Sequence, residues 1–136
     1  MLSTRLLGDL DPQTFLKRHW QKMPCLIRNA IPDLGTPISA EELAGLACEP
    51  GTEARIVQKI RRKPGWSVRH GPFSEQDFKA LPAHGWTLLV QDTDKYIPEL
   101  ACLLDRFRFI PNWRIDDLMV SYATDGGGVE IGRAHV

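Results

Sequence analysis

The residues with the clearest chemical potential are Asp116-Asp117 and the run that follows, Leu118-Met119-Val120-Ser121-Tyr122-Ala123. The run reads as a strand, and strand alternation then sets Asp117, Met119 and Ser121 on one face with Leu118, Val120 and Tyr122 on the other. A carboxylate sharing a face with a thioether and a hydroxyl is costly to bury unless a cation satisfies it. Arginine, whose planar fork matches a carboxylate, is the natural guest. The residue types alone also fit a solvated turn aspartate ahead of a strand.

Little else in the chain has catalytic spacing. There is no G-x-S-x-G, H-E-x-x-H, H-x-D or H-x-H, and Gly126-Gly127-Gly128 lacks the Lys-Ser/Thr of a phosphate loop, so it reads as a tight turn. His19 falls on an apolar helical stripe with no second ligand at i±3 or i±4, which makes it a packing residue rather than a metal ligand. His70 and His84 each precede glycine in a turn. The residues therefore nominate no catalytic group and no metal ligand.

Composition sets the outer limits. With 136 residues, 43% hydrophobic and 25% charged, the chain has the makings of one globular domain or part of one. Seventeen basic residues balance seventeen acidic ones, so no net field draws it to nucleic acid or to an acidic membrane. The local exception, Lys59-Ile60-Arg61-Arg62-Lys63 before Pro64-Gly65, reads as a solvated hairpin tip; direct nucleic-acid binding is not expected, because it needs a wider basic surface. Cys25, Cys48 and Cys102 are odd in number and scattered, which suits reduced thiols in the cytoplasm. No apolar run approaches the ~20 residues of a membrane span, and residues 1–8 lack a signal-peptide core.

The elements that would position Asp117 can be read in order. Asp11-Pro12 opens a helix through about Gln21, with Phe15, Leu16, His19 and Trp20 on one stripe, and Pro24 closes it. Cys25-Leu26-Ile27 is a strand candidate. Ser39-Ala40-Glu41-Glu42 caps a second helix ending by Pro50-Gly51, with Leu43, Leu46 and Ala47 as its apolar face. Ala54–Gln58 and Trp66–His70 form a hairpin whose Trp66 and Val68 alternate with Ser67 and Arg69, as in a half-buried strand. Ser74–Asp77 starts a helix and Trp86–Gln91 is a strand. Pro98 opens a helix bearing Leu100, Leu103, Leu104 and Phe107, which Pro111 closes. Leu118–Ala123 is the last strand, leading into the glycine turn. The four tryptophans read as core anchors. The pattern is α+β, and its last strand leaves an edge or an incomplete sheet.

Five segments in this order resemble the bacterial ribosomal oxygenases: FLKRHWQKMPCLIRNA (15–30), ISAEELAGLA (38–47), WSVRHGPF (66–73), WTLLVQ (86–91) and above all PNWRIDDLMVSYATDGGGV (111–129). The resemblance covers essentially all of residues 6–129. It implies a JmjC-type cupin, in which Fe(II) and 2-oxoglutarate serve to hydroxylate an arginine of a large-subunit ribosomal protein. On that footing the chain is N-terminal helices plus the first part of a double-stranded β-helix, incomplete. Asp117 and Met119 match positions that hold the target arginine, the aspartate by charge-assisted hydrogen bonds. Ser121 shares their face as a weaker candidate. The resemblance further implies a homodimeric parent.

In that family the sequence continues after the glycines with Gly-Pro-His-x-Asp, the first iron ligands, whereas here it breaks at Glu130. Back-translated, Glu130 to Val136 coincides with a common short-read library adapter. These residues are set aside as a non-native tail, and His135 is not taken as a ligand. The expectation is that residues 1–129 are the N-terminal part of an oxygenase domain. Neither iron nor 2-oxoglutarate is expected to bind this chain, which should be inactive by itself. Two rival readings differ in kind: a non-catalytic cupin-like module binding a basic peptide through the Asp117 face, and a related oxygenase acting on another side chain such as histidine.

Overall fold

A computed structural model describes residues 6–63 and 65–128. Four helices and four strands follow one another as α1 (Pro12–Arg18), α2 (Ala40–Ala47), β1 (Ala54–Lys59), β2 (Trp66–His70), α3 (Glu75–Lys79), β3 (Trp86–Val90), α4 (Pro98–Asp105) and β4 (Val120–Ala123). Single 3-10 turns at Thr93–Lys95 and Asn112–Arg114 flank α4. The strands form one antiparallel sheet in the order β2-β1-β3-β4, so the mixed α+β expectation holds.

Register divides the sheet into two unlike faces. Ala54 lies opposite Val90, Ile56 opposite Leu88, and Leu88 opposite Tyr122, so these side chains share one face. Leu43 and Ala47 of α2 pack there with Ala54, Ile56, Phe73, Leu88 and Val90 to make the core. The reverse face carries Arg55, Val57 and Lys59 of β1, Thr87 and Leu89 of β3, and Ser121 and Ala123 of β4. Thr87 and Leu89 are themselves buried, so β3 is enclosed on both sides. Its run of Trp86, Leu88, Leu89 and Val90, interrupted only by Thr87, is the sequence signature of that position.

The hairpin and its partners form as expected, but β2 faces the other way. Because Ile56 must point into the core, its partner Arg69 takes the core side, while Trp66 and Val68, opposite Lys59 and Val57, take the reverse face. There Trp66 is 38% and Val68 52% exposed, so neither anchors the core. Trp113, in a surface 3-10 turn, is 77% exposed and lies against the guanidinium of Arg114, 4.7 Å from its ring centroid. The expectation of four tryptophan anchors is therefore corrected for these two.

Helix starts were legible from their caps. Asp11 accepts from Thr14 N–H, Ser39 from Glu42 N–H, and Ser74 with Asp77 completes a reciprocal capping box. Two helices end earlier than their apolar spacing predicts. α1 stops at Arg18 because Gln21 takes a left-handed backbone at φ 58°, and α4 stops at Asp105, leaving Phe107 in the following turn. Cys25-Leu26-Ile27 is no strand; it pairs with no strand among the described residues, and Leu26 is 78% exposed. His19 does pack, stacked on Phe15, which also meets Phe109 edge-on.

The loop between α1 and α2 is tied to α4 by a two-pronged ion pair. Arg106 donates from Nη1 and Nη2 to Asp33 Oδ1 and Oδ2 at 3.1 and 2.7 Å, with side chains only 14% and 28% exposed. Hydrogen bonding to Arg106 holds the Asp33 carboxyl below the usual carboxylate range, and the same contact raises Arg106. A folded-state value below the unfolded one gives stability that is present above the ordinary carboxylate pKa and lost as pH falls through the depressed value. Asp33→Asn should therefore lower the urea midpoint at pH 7, and its difference from the parent should close in acid as the parent's carboxyl protonates. A difference that persists unchanged at pH 3 would assign Asp33 a steric role instead.

Candidate functional site

Asp117 sits outside regular secondary structure, because β4 begins only at Val120. The segment before it is clamped to the turn that follows β3. Asp117 Oδ2 accepts from Asp92 N–H at 2.8 Å, Leu118 N–H donates to Asp94 Oδ1 at 3.0 Å, and Leu118 C=O accepts from both the Thr93 N–H (3.0 Å) and its hydroxyl (2.6 Å). The turn is built for this exchange. Asp92 adopts φ 56°, ψ 31°, a left-handed conformation that aspartate tolerates better than most residues, and Thr93 is fully buried.

Asp117 is thus neither a solvated turn aspartate nor, in this structure, a partner of arginine. It is half-buried, and among the described residues no Lys or Arg comes within ion-pair distance of it. One hydrogen bond uses a fraction of a carboxylate's accepting capacity of about four lone-pair sites, so the group can still receive a guanidinium. Met119 is half-buried beside it in sequence, and Ser121 lies in β4 opposite Leu89, on the reverse face of the sheet and exposed. Of the three side chains expected to share a strand face, only Ser121 lies in a strand, while Val120 and Tyr122 occupy the core side as the alternation requires. A shallow cleft of about 270 Å³ adjoins this segment, lined by Asp94, Asp105, Asp116, Arg108 and Asn112 among others.

The glycine turn is anchored as firmly as Asp117. Thr124 donates from its N–H and its hydroxyl to Trp86 C=O at 3.1 and 3.0 Å, and its oxygen lies 3.2 Å from the Trp86 N–H. Gly85 N–H donates to Asp125 C=O at 2.9 Å. Gly128 N–H then reaches the Thr87 hydroxyl at 2.7 Å, which brings the turn onto the reverse face. Gly126 and Gly128 take positive φ, at 75° and 128°. Gly127 is glycine for another reason: a Cβ there would sit on the Trp86 carbonyl oxygen and 2.9 Å from its carbon.

The histidines are dispersed over α1's C-cap, the end of β2 and the approach to β3. Among the described residues, no three His, Cys, Asp or Glu side chains gather as a metal site. Val129, the Glu130–Val136 segment with His135, and Pro64 of the hairpin tip lie outside the described residues. Sequence reasoning passed over Asp92-Thr93-Asp94, Thr87 and Thr124. The first was detectable as a cluster of local hydrogen-bonding residues directly after a strand, the composition of a turn that caps its own backbone.

Comparison with known proteins finds the chain similar to ribosomal oxygenases. The chain is 44% identical over 115 residues to the ribosomal protein uL16 3-hydroxylase of Escherichia coli, covering 85% of this chain and 30% of that protein. It is 41% identical over 120 residues to a probable ribosomal oxygenase of Haemophilus influenzae, covering 88% and 29%. Its fold is similar to that of the E. coli ribosomal oxygenase YcfD, with a TM-score of 0.79 and 43% identity over 90% of this chain and 33% of that one. The same holds for YcfD in complex with cobalt and 2-oxoglutarate. The chain spans about a third of the length of these relatives. No family model matches it.

Gly127→Ala tests the anchored turn. Overpacking against a fixed carbonyl typically costs about 1–3 kcal/mol, so the urea midpoint should fall. Gly45→Ala is the contrast, since nothing lies within 4 Å of a Cβ at this helical position and the exchange should raise stability by about 0.5–1 kcal/mol. Equal effects at the two sites would mean that the turn is not held against β3.

Proposed function

As the chain is a homologue of the ribosomal oxygenases over about a third of their length, we propose that residues 1–129 form part of a single 2-oxoglutarate oxygenase domain that hydroxylates an arginine of a large-subunit ribosomal protein. The observation that carries this reading is the 43% identity and TM-score of 0.79 to an oxygenase whose structure holds cobalt and 2-oxoglutarate. In this reading the sheet is the first part of a JmjC-type double-stranded β-helix, and residues 130–136 are a non-native tail. The working metal of the parent is Fe(II), and the parent is a cytoplasmic homodimer whose partner is the ribosomal protein. Among the described residues no helix is long and apolar enough to cross a membrane.

Iron of this class is held by two histidines and one carboxylate on one face of the metal. The described residues do not fit that requirement. What this chain contributes is substrate recognition. Asp117, half-buried and with acceptor capacity to spare, takes the guanidinium of the target arginine; Met119 lies along its aliphatic stem, and Ser121 offers a hydroxyl from β4. The clamp from Asp92-Thr93-Asp94 supplies the rigidity, since an oriented carboxylate positions the side-chain carbon to be oxidised.

Two measurements follow. The 136-residue chain should take up no stoichiometric Fe(II) in a titration and should form no succinate from 2-oxoglutarate above a protein-free control; succinate formation would refute its inactivity. In the longer parent, Asp117→Asn is the informative variant, because its amide oxygen can still accept from Asp92 N–H while the charge is lost. Removing a charge-assisted contact costs about 1.5–3 kcal/mol, so hydroxylation of an arginine peptide should fall roughly tenfold to hundredfold, with uncoupled 2-oxoglutarate turnover largely retained. Hydroxylation at the parental rate would remove Asp117 from the substrate pocket.

A further inference from the structure

Charge in this chain is balanced in total and segregated in space. The hairpin from Ala54 to His70 carries Arg55, Lys59, Arg61, Arg62, Lys63 and Arg69 and not one Asp or Glu, although the chain as a whole is neutral. Arg69 is spoken for on the core side, where it pairs with Asp77 at 2.7 Å. Among the described residues none of the other five forms an ion pair. Arg61, Arg62 and Lys63 are exposed at the tip, and Arg55 and Lys59 rise from β1 onto the reverse face. Arg55 also holds a buried Nε with no hydrogen-bond partner among the described residues.

The same face presents an open aromatic. Trp66 and Val68 stand exposed on the edge strand beside Lys59, whose Nζ lies 5.8 Å from the Trp66 ring centroid, and His70 completes the strand. A solvated hairpin tip would account for Arg61-Arg62-Lys63. It does not account for an uncovered tryptophan and two further cations on the adjoining face. Cations that follow a backbone next to an aromatic ring that stacks a base are the working parts of single-strand nucleic-acid recognition on a sheet. The basic surface is wider than the linear run suggested, which removes the ground on which nucleic-acid contact was not expected.

We propose that the reverse face of the β1–β2 hairpin binds single-stranded nucleic acid, with Arg61, Arg62 and Lys63 on successive phosphates, Arg55 and Lys59 along the sheet, and a base stacked on Trp66. An acidic protein is disfavoured as the occupant because carboxylates would engage the cations and leave the tryptophan without a role.

Fluorescence anisotropy of a labelled oligouridine of about 12 nucleotides, titrated with the full chain at several salt concentrations, tests this. Binding should weaken with salt, and Arg61→Ser/Arg62→Ser/Lys63→Ser should flatten the log–log slope by about 2, at about 0.7 per single-strand phosphate contact. Trp66→Ala, at an exposed position, should leave the circular dichroism spectrum unchanged and weaken binding about fivefold to hundredfold, the range for one stacked base. Parental affinity in either variant would overturn the proposal. So would polyglutamate competing as well as the oligonucleotide, which would mark an acidic-protein surface, or a duplex binding as tightly as the single strand.

Discussion

The backbone of β3 is the constraint on which the rest of this structure depends. It is hydrogen-bonded on both edges, to β1 and to β4, and its side chains are buried on both faces. Both ends of the strand are also used. At its start the Trp86 carbonyl and amide hold Thr124, and at its end Asp92-Thr93-Asp94 exchange four hydrogen bonds with Asp117-Leu118. The candidate substrate residues and the glycine turn are therefore fixed at opposite ends of one strand. Unpaired buried backbone groups are expensive, so a central strand transmits its position to whatever satisfies its ends.

This explains why so much of the fold was legible and where legibility stopped. Caps and apolar spacing revealed α2, β1, β3 and the starts of α1, α3 and α4, because these features act within a few residues. The side of β2 could not be read from β2. Its own alternation puts Trp66 and Val68 inward, but Ile56 on the neighbouring strand outcompetes them for the core, and the register follows Ile56. Cys25-Leu26-Ile27 differs for a related reason: an apolar triplet becomes a strand only where a partner offers hydrogen bonds, and among the described residues it pairs with no strand.

The site was legible in part, and the missing part changes its meaning. Strand alternation predicts Asp117, Met119 and Ser121 on one face, but the strand begins only at Val120, so Ser121 alone of the three has a strand face, with Val120 and Tyr122 on the other. What sequence distance concealed was Asp92, 25 positions upstream, whose amide occupies one carboxylate oxygen. In the proposed reading Asp117 thereby meets two demands, tying its segment to the turn after β3 and remaining available to a cation. Those demands are compatible because a carboxylate accepts several hydrogen bonds, and the structural bond fixes the direction in which the remaining lone pairs point. A carboxylate held in this way is better suited to orienting a guanidinium than a freely rotating one on a loop.

The segregation of charge extends the same logic across the sheet. Asp94, Asp105 and Asp116 line the cleft beside the Asp117 segment, while five cations without ion pairs gather on the hairpin at the other edge. The tip cations Arg61, Arg62 and Lys63 lie beyond β1 and β3 from that segment, whereas Arg55 and Lys59 stand on β1 with only β3 between them and β4. In water at physiological ionic strength, interactions beyond about 8 Å are largely screened, and adjacent strands lie about 4.8 Å apart, so the tip acts nearly independently of the acidic cleft. A basic ligand and an anionic one can then be held on one rigid scaffold without neutralising each other.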